Sequence, residues 1–103
     1  MIQGTTPTLR FNLPIDISSV LSAEIVVEYV DANKKMQIIK ELDDCTTGEN
    51  YIEAKLTQRE TLQLPAPSTV FVQLRVLTKG GTTLATEVNE VRVSKLLKGD
   101  VIV

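Results

Sequence analysis

Hydrophobic and polar positions alternate most regularly over residues 69–78. Val70, Val72, Leu74 and Val76 share one face there, and Gln73 and Arg75 interrupt the other, which is typical of a strand with one buried face. Gly80 and Gly81 follow, and a glycine pair between two strand patterns favours a hairpin, because both glycines can take positive φ. A returning arm over residues 84–93 completes the hairpin. We therefore expect an antiparallel pair at the centre of the fold.

The same period of two predicts four further strands, over residues 8–13, 23–30, 36–40 and 51–56. Turn-forming residues separate them, and the glutamates of the second strand mark its solvent-facing side. The apolar parity of each strand is expected to face the core. The residues predicted to be buried are Leu9, Phe11, Ile25, Val27, Ile52, Leu56, Val72, Leu74 and Val76.

The alternation slips within the second arm of the hairpin. Leu84 and Val88 share one parity, whereas Val91 has the other. A uniform strand would place Val88 and Val91 on opposite faces. We therefore predict a bulge or strand break between Val88 and Val91, near residues 89–90.

One segment has a helical signature instead. Thr57 and Glu60 fit a capping box, in which each side chain accepts a hydrogen bond from a backbone N–H at the start of a helix. Pro65 stops the helix at about Leu64, so it has one or two turns.

Together these elements predict an all-β protein, an antiparallel immunoglobulin-like β-sandwich of about six to seven strands with one short helical turn. Residues 1–103 are expected to form a single domain. A small closed barrel is the alternative architecture. The likeness to immunoglobulins is one of topology only, because the chain has one cysteine and no tryptophan.

Charge and composition exclude some classes of partner. A formal net charge of −2 provides no basic footprint for nucleic acid. No apolar run approaches the roughly 20 residues that span a bilayer, and the N-terminal residues do not resemble a signal peptide. We expect synthesis in the cytoplasm, with no nucleic-acid or membrane partner.

The residues that usually carry catalysis are scarce. The chain has no histidine, so no Cys–His pair is possible, and we expect no catalytic or cofactor-binding residue and no enzymatic activity. Cys45 is read as a small filler of the core rather than a reactive thiol. Asp43, Asp44, Glu49 and Glu53 could hold a cation, but their spacing fits no calcium loop, and a solvated loop explains them better. No metal site is predicted.

Association through apolar residues on solvent-facing strand faces or at an exposed strand edge is the favoured hypothesis, since a contiguous exposed set usually marks an interface. Ile39 contributes to this pattern. The alternative is a soluble ligand- or carbohydrate-binding sandwich that uses Phe71 and Tyr51 as stacking platforms. The interface candidates are Val26, Val30, Phe71, Leu77, Val101, Ile102 and Val103.

Three stretches carry a resemblance to a known family. They are GTTPT at residues 4–8, LTQRETL at 56–62, and VQLRVLT at 72–78 with the glycine pair and LAT that follow. They resemble the N-terminal domain of baseplate upper proteins in phages and prophages of Gram-positive bacteria. The resemblance implies an immunoglobulin-like sandwich without catalytic residues, which joins a virion by contact with other phage structural proteins or with itself.

Overall fold

The computed structural model describes residues 1–102, so the candidate Val103 lies outside the described residues. Short 3-10 turns at Ile17–Ser19 and Leu42–Asp44 connect some of the strands. One helix, α1, spans Gln58–Gln63. The eight strands in this part of the chain are β1 (Thr8–Asn12), β2 (Val20–Asp31), β3 (Lys34–Glu41), β4 (Thr46–Gly48), β5 (Tyr51–Lys55), β6 (Ser68–Thr78), β7 (Thr83–Ala85) and β8 (Asn89–Val93).

The strands form two antiparallel sheets. The smaller sheet has the order β1-β5-β4, and the larger has the order β3-β2-β6, with both β7 and β8 paired to the far side of β6. This confirms the predicted all-β antiparallel sandwich. Eight strands appear instead of six to seven for two reasons. The polar residues of β4 lie in a segment that the sequence predicts as a loop. The second arm of the central hairpin is divided between β7 and β8.

The core fills the space between the sheets. Seven of the nine residues predicted to be buried are at most 3% exposed, and they pack in one cluster with Tyr29, Val70 and Val93. Leu9 and Phe11 are only half-buried, so their prediction was wrong in degree. Both lie on β1, which is an edge strand of the smaller sheet and has a neighbour on one side only.

The second arm is broken, but at residues 86–88 and not between Val88 and Val91, so the predicted position was wrong. Leu84 pairs with Val76 and Val91 pairs with Val70, so both face the core despite their opposite parity. Between them, residues 86–88 lie opposite only two residues of β6, which amounts to one extra residue in the second arm. The ladder from Asn89 onward is regular, so the position near residues 89–90 was wrong.

Thr86 explains why the break falls where it does. Its backbone N–H donates to the Leu74 carbonyl oxygen at 2.9 Å, and its side-chain Oγ1 accepts from the Leu74 N–H at 3.0 Å. The Thr86 carbonyl oxygen accepts from Nε2 of Gln73 at 2.8 Å. At the break, the Thr86 hydroxyl thus takes the place of a backbone carbonyl oxygen as the acceptor for the Leu74 N–H. The Leu74 N–H therefore keeps a hydrogen-bond partner.

Two tight turns set the register of the larger sheet. Ala32 and Asn33 have φ of 49° and 66° between β2 and β3, as a type I′ turn requires. In the β6–β7 turn, at the predicted hairpin, Gly81 has positive φ, at 87°, and Gly80 does not. The first turn thus fixes the β2–β3 register and the second fixes the β6–β7 register.

Helix α1 follows β5 and has the predicted capping box. The Thr57 hydroxyl accepts from the Glu60 N–H at 3.1 Å, and the Glu60 carboxylate accepts from the Thr57 N–H at 2.8 Å. Nζ of Lys40 in β3 lies 2.8 Å from the same carboxylate. Partial burial opposes ionisation of Glu60, but the bonds from Lys40 and Thr57 outweigh it and lower the Glu60 pKa. The ion pair therefore ties α1 to the edge of the larger sheet.

Candidate interaction face

The outer face of the larger sheet carries a cluster of apolar side chains. Ile39, Val26 and Gln73 pair across β3, β2 and β6 in one row, and Phe71 lies opposite Glu28 in the next row. Val88 extends the first row from the break before β8 and lines the same depression. We call Val26, Ile39, Phe71 and Val88 the outer patch. Val26 is half-buried, whereas Ile39, Phe71 and Val88 are 47%, 37% and 54% exposed.

Polar side chains surround the outer patch and are bonded to one another. Nη2 of Arg75 lies 2.6 Å from the Glu24 carboxylate, directly across the β2–β6 pair. Nε2 of Gln37 donates to the Glu28 carboxylate at 3.1 Å. The patch therefore has an apolar centre inside a polar rim, which is the anatomy of a protein–protein interface. The depression over it has a volume of about 340 Å³.

The structure brings together only some of the predicted interface residues. Val26 and Phe71 belong to the outer patch. Val30 is exposed on the same face, two rows beyond Val26 and close to the β2–β3 turn. Leu77 is half-buried and lies at the opposite end of β6.

The candidates in the C-terminal segment lie elsewhere. Ile102 is exposed, but its backbone is held by α1, where the Gln58 side chain donates to the Ile102 carbonyl oxygen and accepts from its N–H. Val101 is half-buried beside it in sequence. The described part of this segment therefore contacts the helix.

Val88 is the member of the outer patch that sequence reasoning missed. Its parity matches Leu84, so it was grouped with the inward residues of the second arm. The extra residue before β8 instead places Val88 on the outer face of the sheet. Thr86, whose hydroxyl can replace a backbone acceptor, was the available signal for the position of the reversal.

A second depression lies where the larger sheet meets the Leu42–Asp44 turn. It has a volume of about 570 Å³ and shares Glu24 and Arg75 with the rim of the outer patch. Leu21, Leu42 and Leu77 are among its apolar lining residues, and its charged lining residues are Glu24, Glu41, Asp43 and Arg75.

The outer face of the smaller sheet is organised differently. Nε of Arg10 lies 2.8 Å from the Glu53 carboxylate, and its guanidinium carbon lies 3.9 Å from the centre of the Tyr51 ring. The Tyr51 ring also covers Gly48, where an added Cβ would fall 1.8 Å from a ring carbon. Phe71 and Tyr51 thus lie on different sheets and do not form one stacking platform.

Cys45 packs against the core, with its Sγ 3.2 Å from the Glu41 carbonyl oxygen. Burial and the nearby Asp44 carboxylate raise the pKa of the Cys45 thiol, which favours the protonated and less reactive form. Within residues 1–102, no three cysteine or acidic side chains are grouped so that they could hold a metal ion. Every buried side-chain nitrogen or oxygen in the same range has a hydrogen-bond partner.

The chain matches no protein-family model and no curated protein sequence. Its described helices include none with the length and hydrophobicity needed to cross a bilayer.

Proposed function

We propose that this protein is a non-enzymatic structural or assembly component of a phage-type particle, and that it acts by protein–protein contact through the outer patch. The observation that carries the proposal is the contiguity of Val26, Ile39, Phe71 and Val88 on one sheet face. Single exposed apolar residues are common on soluble proteins, but a contiguous group with a polar rim usually marks an interaction site.

The polar groups around the outer patch favour a protein partner over a small ligand. Small-molecule sites are usually concave and contain a few unpaired polar groups that orient the ligand. Here Arg75 is paired with Glu24, Gln37 with Glu28, and Gln73 with the Thr86 carbonyl oxygen. A flat protein surface can cover the apolar centre and leave these bonds intact.

The phage context comes from the resemblance to baseplate upper proteins. A domain that joins an assembly needs a rigid surface and no catalytic group. The outer patch lies on strands β2, β3 and β6, which pair over most of their length and support it from the core side.

Particle incorporation of a double variant, Ile39→Lys with Val88→Lys, tests the proposal. Both side chains are largely exposed, so two lysines remove apolar contact and leave the core unchanged. Leu97→Lys is the matched control, because Leu97 is fully exposed in the C-terminal segment. The chain would be quantified by mass spectrometry in purified particles and assembly intermediates of a phage that encodes it.

We expect the wild type and Leu97→Lys to be incorporated equally. The double variant should be depleted at least about tenfold, because burying two aliphatic side chains contributes more than about 2 kcal/mol. Absence of the wild-type chain from every particle fraction, or full incorporation of the double variant, would contradict the proposal. Binding of a glycan that Phe71→Ala abolishes would favour the ligand-binding alternative instead.

A further inference from the structure

We propose that the free edge of strand β1 binds an extended segment of another protein, which adds to the smaller sheet beside β1. This edge is a second contact surface, separate from the outer patch, so the inference goes beyond the proposed function. The groups that the edge presents are those of a peptide backbone. The occupant is therefore defined by its extended conformation and by the alternation of its side chains.

Strand β1 uses only one side of its backbone for pairing. The Leu13 N–H donates to the Asn50 carbonyl oxygen at 2.7 Å, and the Leu56 N–H donates to the Pro7 carbonyl oxygen at 2.9 Å. These two bonds mark hydrogen-bonded pairs at the two ends of the β1–β5 ladder. Such pairs recur at every second residue of an antiparallel ladder, and the residues between them direct their N–H and C=O groups away from the partner strand. The odd-numbered residues of β1 therefore bond to β5, and the even-numbered residues face the free edge.

The even-numbered residues of β1 are Thr8, Arg10 and Asn12. Within residues 1–102, no other backbone group bonds to the N–H and C=O groups that they direct to the free edge. These donors and acceptors repeat every second residue, at about 6.8 Å, which is the repeat of an extended chain. Pro7 and Pro14 lie just outside the row and limit its length. The edge therefore matches the backbone of one short added strand.

The inner face of β1 is covered less completely than that of β5. Leu9 and Phe11 pair with Ala54 and Ile52 in the same rows and on the same face. Ala54 and Ile52 are 2% and 0% exposed, whereas Leu9 and Phe11 are only half-buried. An added strand would cover the open side of Leu9 and Phe11 with every second side chain. The occupant therefore has apolar side chains at these positions and polar ones between them.

The other sheet edges are less suited to strand addition. Strand β3 carries Lys34, Lys35 and Lys40, and lysines along an edge oppose pairing with another strand. Strands β4 and β7 have three residues each. At the end of β8, the Ser94 N–H donates to the Met1 carbonyl oxygen at 2.8 Å, so the first residues of the chain already cover this edge. Strand β1 is therefore the favoured place for a partner strand.

Arg10 is the only charged residue of β1, and its charge is directed away from the free edge. Its Nε lies 2.8 Å from the Glu53 carboxylate, and its guanidinium carbon lies 3.9 Å from the centre of the Tyr51 ring. Both partners belong to β5. Arg10 also disfavours a second copy as the occupant. If β1 paired with itself over its whole length about a two-fold axis, two Arg10 side chains would lie opposite each other, and like charges in that position are destabilising. The segment therefore comes from a different protein.

Titration with a synthetic peptide tests the proposal. The probe is an acetylated and amidated peptide of alternating valine and threonine with a lysine at each end, and the control is the same peptide with methylated backbone nitrogens. Two-dimensional NMR of the wild-type protein would follow the backbone amides. We expect the probe to shift the amides of β1 at millimolar concentration, because a short flexible peptide loses conformational entropy on binding. The methylated peptide should bind at least about tenfold more weakly, because it cannot donate main-chain hydrogen bonds.

A proline substitution tests the same edge from the protein side. Asn12→Pro removes one N–H from the free edge and breaks no β1–β5 bond, and proline is tolerated on an edge strand in this orientation. It should weaken peptide binding about fivefold, because one hydrogen bond is lost. Asn12→Ala is the matched control, since it keeps the N–H and should bind as the wild type does. Urea unfolding would confirm that each variant is folded, and the methylated peptide decides the matter if Asn12→Pro is not.

Three results would overturn the proposal. The first is the absence of β1 shifts at millimolar probe, the second is equal binding of the methylated peptide, and the third is shifts centred on β3 or β7 instead of β1. None of these results affects the proposed function, because depletion of the Ile39→Lys/Val88→Lys variant from particles reports on the outer patch alone.

Discussion

The two sheets of this protein carry different arrangements of side chains on their solvent-facing sides. On the smaller sheet, Arg10 joins Glu53 and the Tyr51 ring in one group of contacts, and the ring covers Gly48. On the larger sheet, the polar side chains pair around an apolar centre and leave that centre open. The larger number of strands in the larger sheet does not explain its apolar centre, because polar residues could occupy the same solvent-facing positions. This contrast is the basis for proposing the outer face of the larger sheet, rather than that of the smaller one, as the surface that contacts a partner.

The largest expected effect separates the core from the outer patch. Leu74 is 1% exposed between the sheets, whereas Val88 is mostly exposed on the outer patch. Leu74→Ala should lower the free energy of unfolding by about 2–5 kcal/mol, because it leaves a cavity in the core. Val88→Ala should change it by less than about 0.5 kcal/mol. Urea unfolding measures both, and a Leu74→Ala cost below about 1 kcal/mol would place this residue outside the core.

A smaller effect is expected on the outer face of the smaller sheet. Gly48→Ala should cost about 1–3 kcal/mol, because the new methyl group displaces the Tyr51 ring and its contact with Arg10. Gly80→Ala is the control, since its Cβ would meet nothing closer than 3.9 Å. In a Tyr51→Ala background the Gly48→Ala cost should nearly vanish. If the cost persists there, it arises from the backbone rather than from the ring.

The smallest effect concerns the ion pair that ties α1 to the larger sheet. Glu60→Gln should cost about 0.5–2 kcal/mol at neutral pH, because it removes the carboxylate of the capping box and the partner of Lys40. Since the folded-state pKa of Glu60 is lowered, this contribution is present above the unfolded pKa, near 4.5, and is lost as pH falls through the folded value.

Urea unfolding of wild type and Glu60→Gln across the acid range measures this difference. The gap between the two proteins should close as pH falls below about 4.5. Glu53→Gln is the comparison on the smaller sheet. Because the Arg10 partner of Glu53 is more than half exposed, we expect a cost of at most about 1 kcal/mol. A gap for Glu60→Gln that does not depend on pH would contradict the role of its charge.

Sequence pattern was sufficient where alternation was regular. The inward residues of β2 and β6 and the capping box of α1 could be read directly, because burial and local hydrogen bonding leave a periodic signature. Pattern failed where contacts depend on distant neighbours. The polar residues of β4 form a strand only because β5 lies beside them. Leu9 and Phe11 are only half-buried because β1 is an edge strand.

The candidate site was predicted in part for the same reason. Val26 and Phe71 stand out as apolar residues at solvent-facing positions of regular strands. Val88 could not be assigned to a sheet face, because its face depends on the position of the one extra residue in the second arm. The alternation of apolar residues indicates that an extra residue is present but not where it lies. Val101 and Ile102 are predicted as interface residues because they are hydrophobic. The hydrogen bonds of Ile102, however, are with Gln58 of α1.

Association through the outer face of the larger sheet can be tested without any substitution. Backbone amide chemical shifts would be recorded by two-dimensional NMR as the wild-type protein is concentrated from micromolar to millimolar. We predict concentration-dependent shifts confined to β2, β3, β6 and the residues around Val88, with strands β1 and β5 unchanged. Shifts centred on β1 and β5, or on the C-terminal segment, would contradict it.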